Sequence, residues 1–147
     1  MNESSQITNK NLLEAKLSYK LQGAIYNVAN KYGPGLKEQI YQKALTEEFT
    51  KQKIPFKEQK RITIYSLDTG KSLGTYIPDF VIDDKIILEI KASNFTTNQD
   101  TSQQISYLRA SVYEIGYLAN FSTPNLDLRR LIFTNNRKRF ISLIQNS

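Results

Sequence analysis

Residues 78–92 read PDFVIDDKIILEIKA, and this stretch predicts the centre of the fold. Between residues 86 and 91, Ile87, Glu89 and Lys91 share one face of a strand, because side chains alternate along a strand. Both faces are otherwise apolar, which is typical of a central strand that is buried on both sides. A glutamate and a lysine are costly there unless they are paired or have a function. An isolated Glu-x-Lys is more often a simple pair at the end of a sheet, so the neighbouring residues decide.

The hairpin before this strand determines whether Asp79 joins Glu89. A two-residue turn at Asp83–Asp84 would place Asp79 opposite Leu88, on the face away from Glu89. A three-residue turn, or a bulge near Pro78, would instead put the two carboxylates side by side. The sequence leaves both alternatives open, and a functional site at this position requires the second one.

Convergence of these side chains would indicate a metal site. Two carboxylates at close range repel each other, and a divalent cation relieves that repulsion. Oxygen ligands select a hard ion, which favours Mg²⁺, with Mn²⁺ as a plausible substitute. Such an ion lowers the pKa of a bound water, and Lys91 could orient that water or stabilise negative charge in the transition state. These are the parts that phosphodiester hydrolysis needs when histidine is absent.

The composition excludes several other classes. The 147 residues suffice for one domain with a core. The absence of Cys and His excludes disulfides, thiolate or histidine metal sites and histidine-based triads. The net charge of +6 favours a polyanionic partner, nucleic acid before a membrane, although basic surfaces also serve solubility. We find neither an apolar run long enough to span a membrane nor a signal-peptide core, so we expect a cytoplasmic protein.

The periodicity of the remaining segments predicts an α/β protein. We expect residues 1–10 to be a flexible N-terminus and residues 11–147 to form a single domain with a mixed sheet between helices. The expected helices cover residues 12–32, 36–49 and 104–113, followed by an amphipathic turn or helix near Phe140. The expected strands cover residues 60–65, 74–82, 85–91, 114–121 and 130–133, with a hairpin turn at 66–72 and a polar loop at 93–103.

Three further patterns accompany the aspartate, glutamate and lysine of the quoted stretch. They are G-x-x-E-x-x-Y at residues 35–41, Q-x-x-x-Y at residues 103–107 and IGYLANF at residues 115–121. In this order and spacing they resemble the GxxExxY family of the PD-(D/E)xK nuclease superfamily, over roughly residues 20–135. The resemblance implies a restriction-endonuclease-like fold, with a mixed central β-sheet flanked by α-helices. It also implies a Mg²⁺-dependent nuclease acting on nucleic acid, DNA more than RNA.

The resemblance also assigns roles to the matching positions. Lys91 would be the catalytic lysine, while Gln103 and Tyr107 would border the site and bind substrate phosphate or orient Lys91. The metal ligands, or the residues supporting them, would be Glu38, Asp79, Glu89 and the carbonyl of Ile90.

Each of these residues also has a plainer interpretation. Glu38 could stabilise the start of a helix through the helix dipole. Asp79 could accept hydrogen bonds from the backbone at the end of a strand. Gln103 and Tyr107 could form a solvated helix edge. Only the joint occurrence of the patterns favours a site.

Seven basic residues and one asparagine outside these motifs are candidates for contacts with the substrate, although a solvated surface is an equally good interpretation of the basic clusters. The candidates are Lys57, Lys60, Arg61, Asn94, Arg109, Arg137, Lys138 and Arg139. The alternative function is a non-catalytic nucleic-acid-binding or scaffolding protein that keeps the nuclease fold. Either a homodimer or a subunit of a larger nuclease assembly is compatible with the sequence.

Overall fold

The computed structural model describes residues 13–122 and 124–145. The expected flexible segment 1–10 therefore lies outside the described residues. The helices are α1 (Ala15–Tyr32), α2 (Glu38–Lys51), α3 (Asn98–Arg109) and α4 (Phe140–Gln145), with a 3₁₀ turn at Asn135–Arg137. The strands are β1 (Phe56–Glu58), β2 (Ile62–Tyr65), β3 (Ser72–Tyr76), β4 (Phe80–Ile82), β5 (Ile86–Lys91), β6 (Ile115–Asn120) and β7 (Asp127–Ile132).

A mixed sheet of five strands forms the centre of the molecule, in the order β1-β4-β5-β6-β7. The β5–β6 pair is parallel, and the other three pairs are antiparallel. Strands β2 and β3 form a separate two-stranded sheet. The expected restriction-endonuclease-like α/β fold is thereby confirmed, and β5 is its central strand, as the quoted stretch predicts.

Helices cover both faces of this sheet and bury the apolar side chains that alternate along β5. On one face, α1 and α2 pack against the sheet through residues such as Leu21, Phe49 and Leu88, all of which are fully buried. On the other face, α3 packs through Leu108 against Ile87. Glu89 and Lys91 belong to this second face, beyond the part of the strand that α3 covers with apolar side chains.

Three predicted segments have different boundaries in the structure, among them the last strand, β7, which begins at Asp127 rather than at residue 130. The strand predicted over residues 74–82 is two strands, β3 and β4, which belong to different sheets. The break falls at Pro78, which is consistent with the missing N–H of proline. The third helix begins at Asn98 rather than near residue 104, because Thr97 and Asp100 form a capping box that starts it earlier. Strand β1 was not predicted.

The hairpin between β4 and β5 has the three-residue turn that a site requires. Ile82 pairs with Ile86, which leaves residues 83–85 in the turn. Asp83 and Asp84 both adopt left-handed backbone angles, with φ of 50° and 54°. Aspartate tolerates this region better than most residues do. The register places position 79 opposite Glu89.

Candidate active site

Asp79 lies just before β4 and Glu89 lies near the end of β5, and hydrogen bonds from the backbone to their carboxylates link the two positions. The N–H of Asp79 donates to Glu89 Oε1 at 2.8 Å, and the N–H of Ile90 donates to Asp79 Oδ2 at 2.8 Å. Each carboxylate therefore commits one oxygen to the neighbouring strand. The reciprocal bonds fix both side chains, so their proximity follows from the register.

The surroundings of these two carboxyl groups disfavour their ionised form. Burial, with a smaller contribution from the charge of Asp79, raises the pKa of Glu89 to about 7, against the lowering effects of hydrogen bonds from the Tyr76 hydroxyl and the Asp79 N–H and of the charge of Lys91. Burial also raises the pKa of Asp79, against the Ile90 N–H and Lys91. For Glu38, partial burial and then Asp79 raise the pKa, while Lys91 lowers it. A cation placed here would relieve all three groups.

Glu38 reaches this region from the other side of the sheet. It is the first residue of α2, which packs on the face that α1 shares, and it is solvent-exposed. Tyr41, one turn later, is fully buried, stacks on Phe121 and donates its hydroxyl to the carbonyl of Gly33 at 2.5 Å. The tyrosine of the G-x-x-E-x-x-Y pattern thus anchors the start of α2, which positions the glutamate.

Lys91 lies on the same face as Glu89, at the end of β5. Its Nζ is 3.8 Å from Asp100 Oδ1, and its side chain is 37% exposed. Its carbonyl accepts the Phe121 N–H at 3.0 Å, on the β6 side of the strand. Because successive residues of a strand point their peptide groups to opposite sides, the carbonyl of Ile90 is directed towards β4, where Asp79 lies.

A small cleft between α3 and the sheet contains Glu89, Lys91 and the exposed Gln103. Tyr76 also lines the cleft, and its ring stacks on Tyr107 with centroids 3.7 Å apart and an interplanar angle of 6°. Tyr107 thus contacts the site through Tyr76. Sequence reasoning missed Tyr76, which precedes Pro78 in a strand of the small sheet and has no motif of its own.

Gln104, the neighbour of the predicted Gln103, has a structural role that the sequence analysis also missed. It is 2% exposed, and its Nε2 donates to the carbonyl of Tyr117 at 2.9 Å. A Cβ at Gly116 would lie 2.9 Å from the Gln104 side chain, so the glycine leaves room for the amide. The two adjacent glutamines therefore differ in role, because Gln103 is exposed at the cleft and Gln104 links α3 to β6.

The segment after Lys91 is ordered by a buried asparagine. Asn120 Oδ1 accepts the Ser93 N–H at 3.2 Å, and its Nδ2 donates to Ser93 Oγ and Thr96 Oγ1 at 3.2 Å each. This asparagine belongs to the IGYLANF pattern, and it fixes the path from Lys91 to the start of α3. The predicted contact residue Asn94 is exposed in this segment.

None of the predicted nucleic-acid contact residues lines the cleft. Lys57 and Lys60 both approach Asp84 in the β4–β5 turn, at 3.7 and 2.7 Å, which is the opposite end of β5. Arg61 is exposed. Lys138 is 6% exposed and donates to two backbone carbonyls, so its ammonium is not presented to solvent.

The other three predicted basic residues meet on one surface. Arg109 and Arg137 both lie over the ring of Phe133, at 5.5 and 4.1 Å from its centroid, and Arg139 is close by and exposed.

The carboxylates of the described residues do not form a ready-made metal centre. Within residues 13–122 and 124–145, no three Asp, Glu, His or Cys side chains are grouped closely enough to hold a metal ion. Of the three carboxylates that were expected to converge, Asp79 and Glu89 lie side by side, because each accepts a backbone N–H from the other's strand. Glu38 is near enough for the charge of Asp79 to raise its pKa. The donor chemistry still fits a hard cation, because the nearby groups are carboxylates with raised pKa values and a backbone carbonyl.

Comparison with known families identifies the class of protein. The family model of the PD-(D/E)XK nuclease superfamily matches residues 15–131, from the start of α1 into β7. This match covers most of the chain, so the chain belongs to the PD-(D/E)XK nuclease superfamily. Membership indicates a hydrolytic nuclease whose substrate is nucleic acid. No curated protein and no solved structure matches the chain significantly.

The structure also bears on membrane association. None of the helices in the described part of the chain combines the length and the apolar character that crossing a bilayer demands.

Proposed function

We propose that this protein is a nuclease of the GxxExxY type that depends on a divalent metal ion, with DNA as its expected substrate. The observation that carries the proposal is the pairing of Asp79 with Glu89 across an irregular hairpin, with Lys91 on the same face. A regular two-residue turn would have separated the carboxylates. The fold therefore adopts the less common turn, and this turn brings two like charges together.

Asp79 and Glu89 would hold the metal ion through the oxygens that they do not commit to the backbone. Glu38 and the carbonyl of Ile90 are the candidates for completing the ligand set. When bound, Mg²⁺ or Mn²⁺ would supply a lowered pKa for a coordinated water and charge neutralisation on the scissile phosphate. The raised pKa values favour this role, because the carboxylates are poorly stabilised by protein groups alone.

Lys91 would act on the phosphate rather than on the metal. Its ammonium is only loosely paired with Asp100, at 3.8 Å, and remains partly exposed in the cleft. It can therefore turn towards a substrate oxygen and stabilise the negative charge that develops during hydrolysis. Gln103, exposed at the same cleft, would donate its amide to a neighbouring phosphate oxygen.

One observation favours a second candidate function. The described residues contain no group of three carboxylates ready to hold a metal, and the ammonium of Lys91 is turned towards Asp100. A non-catalytic nucleic-acid-binding or scaffolding protein that keeps the nuclease fold would show the same arrangement. Action as a homodimer, or as a subunit of a larger nuclease assembly, is a further part of the proposal.

The decisive experiment incubates the purified protein with labelled single- and double-stranded DNA and RNA, in Mg²⁺, Mn²⁺ or EDTA. We expect DNA cleavage with either metal and none in EDTA. Glu89→Gln and Lys91→Met should each lower the rate by about 10³-fold or more, because each removes charge from the reacting centre. Lys85→Met is the matched control, since Lys85 is exposed at the other end of β5 and pairs with Glu14 and Asp83.

Two results would count against the nuclease. Cleavage that survives in both site variants would indicate a contaminating enzyme or another site. Binding of nucleic acid without cleavage in any metal would favour the non-catalytic candidate.

A further inference from the structure

At the far end of α3 from the cleft, three arginines surround a shallow pocket with an apolar floor. The pocket is lined by Leu67, Arg109, Phe133, Arg137, Lys138, Arg139 and Phe140. Arg109 ends α3, whereas the other two arginines belong to the segment after β7, so regions distant in sequence meet here. Within residues 13–122 and 124–145, none of these three arginines forms an ion pair with a carboxylate.

Lys138 explains why its two neighbours point outwards. Its Nζ donates to the carbonyls of Ser111 and Tyr113 at 2.8 and 2.7 Å, and the side chain is buried. This contact ties the segment to the end of α3, while Arg137 and Arg139 are exposed on either side. The fold thus uses one basic residue as an anchor and presents its neighbours to solvent.

The floor of the pocket is suited to a flat, apolar group. Leu67 is 44% exposed at the tip of the β2–β3 hairpin, and Phe133 is partly buried beneath two guanidinium groups. Guanidinium groups bind phosphates in a bidentate manner, and their planes also stack on nucleobases. No carboxylate is among the residues that line the pocket, and Glu114 accepts the Asn135 N–H at 2.7 Å.

The same two elements line both the cleft and this pocket. In the cleft, α3 contributes Gln103 and the hairpin contributes Tyr76. In the pocket, α3 contributes Arg109 and the hairpin contributes Leu67. Gln103 and Arg109 are six positions apart, which is about 9 Å along the helix axis, or about three nucleotides of a stacked strand. After Asp100, α3 carries no acidic residue, so its surface does not repel a polyanion along this path.

We propose that the arginine pocket is a second substrate subsite, which holds the backbone phosphates and one base of a nucleic-acid strand a few nucleotides from the bond in the cleft. This inference rests on the proposed function, because it takes the nucleic acid in the pocket to be part of the same substrate that is cleaved in the cleft. It predicts that substrates too short to reach both places bind weakly.

The test measures binding in EDTA, where hydrolysis cannot interfere. The probe is a fluorescein-labelled single-stranded DNA of about 20 nucleotides, followed by fluorescence anisotropy at several salt concentrations. We expect Arg109→Gln/Arg137→Gln to bind at least about 10-fold more weakly, with a salt slope smaller by about 1.4, which is two released counterions on a single strand. The matched control is Lys16→Gln/Lys20→Gln, which removes the same charge from exposed positions on α1.

Cleavage assays separate this inference from the proposed function. With a dinucleotide, whose two bases are only about 3.4 Å apart and which therefore cannot occupy both the cleft and the pocket, the double arginine variant should match the wild type. With the long DNA at subsaturating concentration it should be slower. If no protein cleaves but the arginine variant still loses binding, the subsite stands and the nuclease proposal fails.

Three outcomes would overturn the inference. Unchanged binding by the arginine variant would do so, as would an equal loss in the α1 control. If polyaspartate displaces the DNA from the wild type at a concentration similar to that of unlabelled DNA, and the arginine variant is insensitive to it, the pocket would instead bind an acidic protein partner. If the double variant melts well below the wild type, Arg139→Gln alone replaces it, because its side chain is exposed.

Discussion

Glu89 and Lys138 are both charged side chains withdrawn from solvent, one near each end of α3, but their surroundings differ. Burial lowers the pKa of Lys138 to about 8, and the ammonium donates to two neutral carbonyls. Burial raises the pKa of Glu89 to about 7, and the side chain lies beside a second carboxylate. The lysine has the partners that an ammonium requires, whereas the glutamate has a neighbour of its own sign.

This difference is typical of a structural charge at Lys138 and favours a functional one at Glu89. The bonds of Lys138 fasten one segment to another, which explains why the residue is buried. The bonds of Glu89 hold it in place, but packing alone gives no reason for placing Asp79 next to it. Carboxylates gathered against their own repulsion in a cleft are typical of a site that binds a cation or performs acid–base chemistry. The comparison therefore favours a functional role for Glu89 and a structural role for Lys138.

The largest expected effect is on the pH dependence of folding at Glu89. Its folded pKa is about 7, above the ordinary 4.5, so the folded state binds more protons between these values. The contribution of Glu89 to the free energy of unfolding should therefore be fully present at or below pH 4.5 and fall as the pH rises towards 7, by about 3 kcal/mol. Glu89→Gln should remove this decline. Urea denaturation in EDTA across this window measures it, and parallel curves for the two proteins would contradict the assignment.

The next effect, at Lys138, has the opposite direction. Its folded pKa of about 8 lies below the ordinary 10.5, so the unfolded state binds more protons in that window. The free energy of unfolding should rise as the pH rises from about 8 to 10.5, by about 2 kcal/mol, because the two carbonyl bonds favour the ammonium and reduce the effect of burial. Lys138→Met should remove this rise in the same urea experiment. An unchanged slope would show that the ammonium is solvated.

Much of this contrast could be predicted from the sequence, but not all of it. The apolar alternation of residues 86–91 predicts the central strand, and the ordered motifs predict the superfamily and the neighbourhood of Asp79 and Glu89. The sequence could not choose between a two-residue and a three-residue turn, since both are compatible with Asp83–Asp84. That choice depends on the sheet register, which tertiary packing fixes.

Two residues show why the rest was not predictable. Lys138 stands in a run of basic residues, RKR at residues 137–139, and the sequence gives no sign that the middle one is buried. Its environment comes from two carbonyls far away in the chain. Tyr76 likewise acts through partners in other elements, Tyr107 and Glu89. Long-range contacts of single residues leave no periodicity, which is the signal that sequence reasoning uses.

The smallest expected effect concerns the hydroxyl of Tyr76, which belongs to the Glu89 end of the comparison. Tyr76→Phe keeps the ring that stacks on Tyr107 but removes the hydrogen bond to Glu89. If Glu89 takes part in catalysis, the variant's kcat should fall about 10-fold, which corresponds to an activation free energy higher by about 1.4 kcal/mol, with little change in the melting temperature. The affinity for Mn²⁺ alone, measured by calorimetry, should fall as well, because Glu89 loses a fixed orientation. Tyr65→Phe is the control, since Tyr65 stacks on Phe140 at the other end of the hairpin. Equal losses in both variants would mean that the hairpin is merely structural, and the contrast with Lys138 would then no longer indicate function.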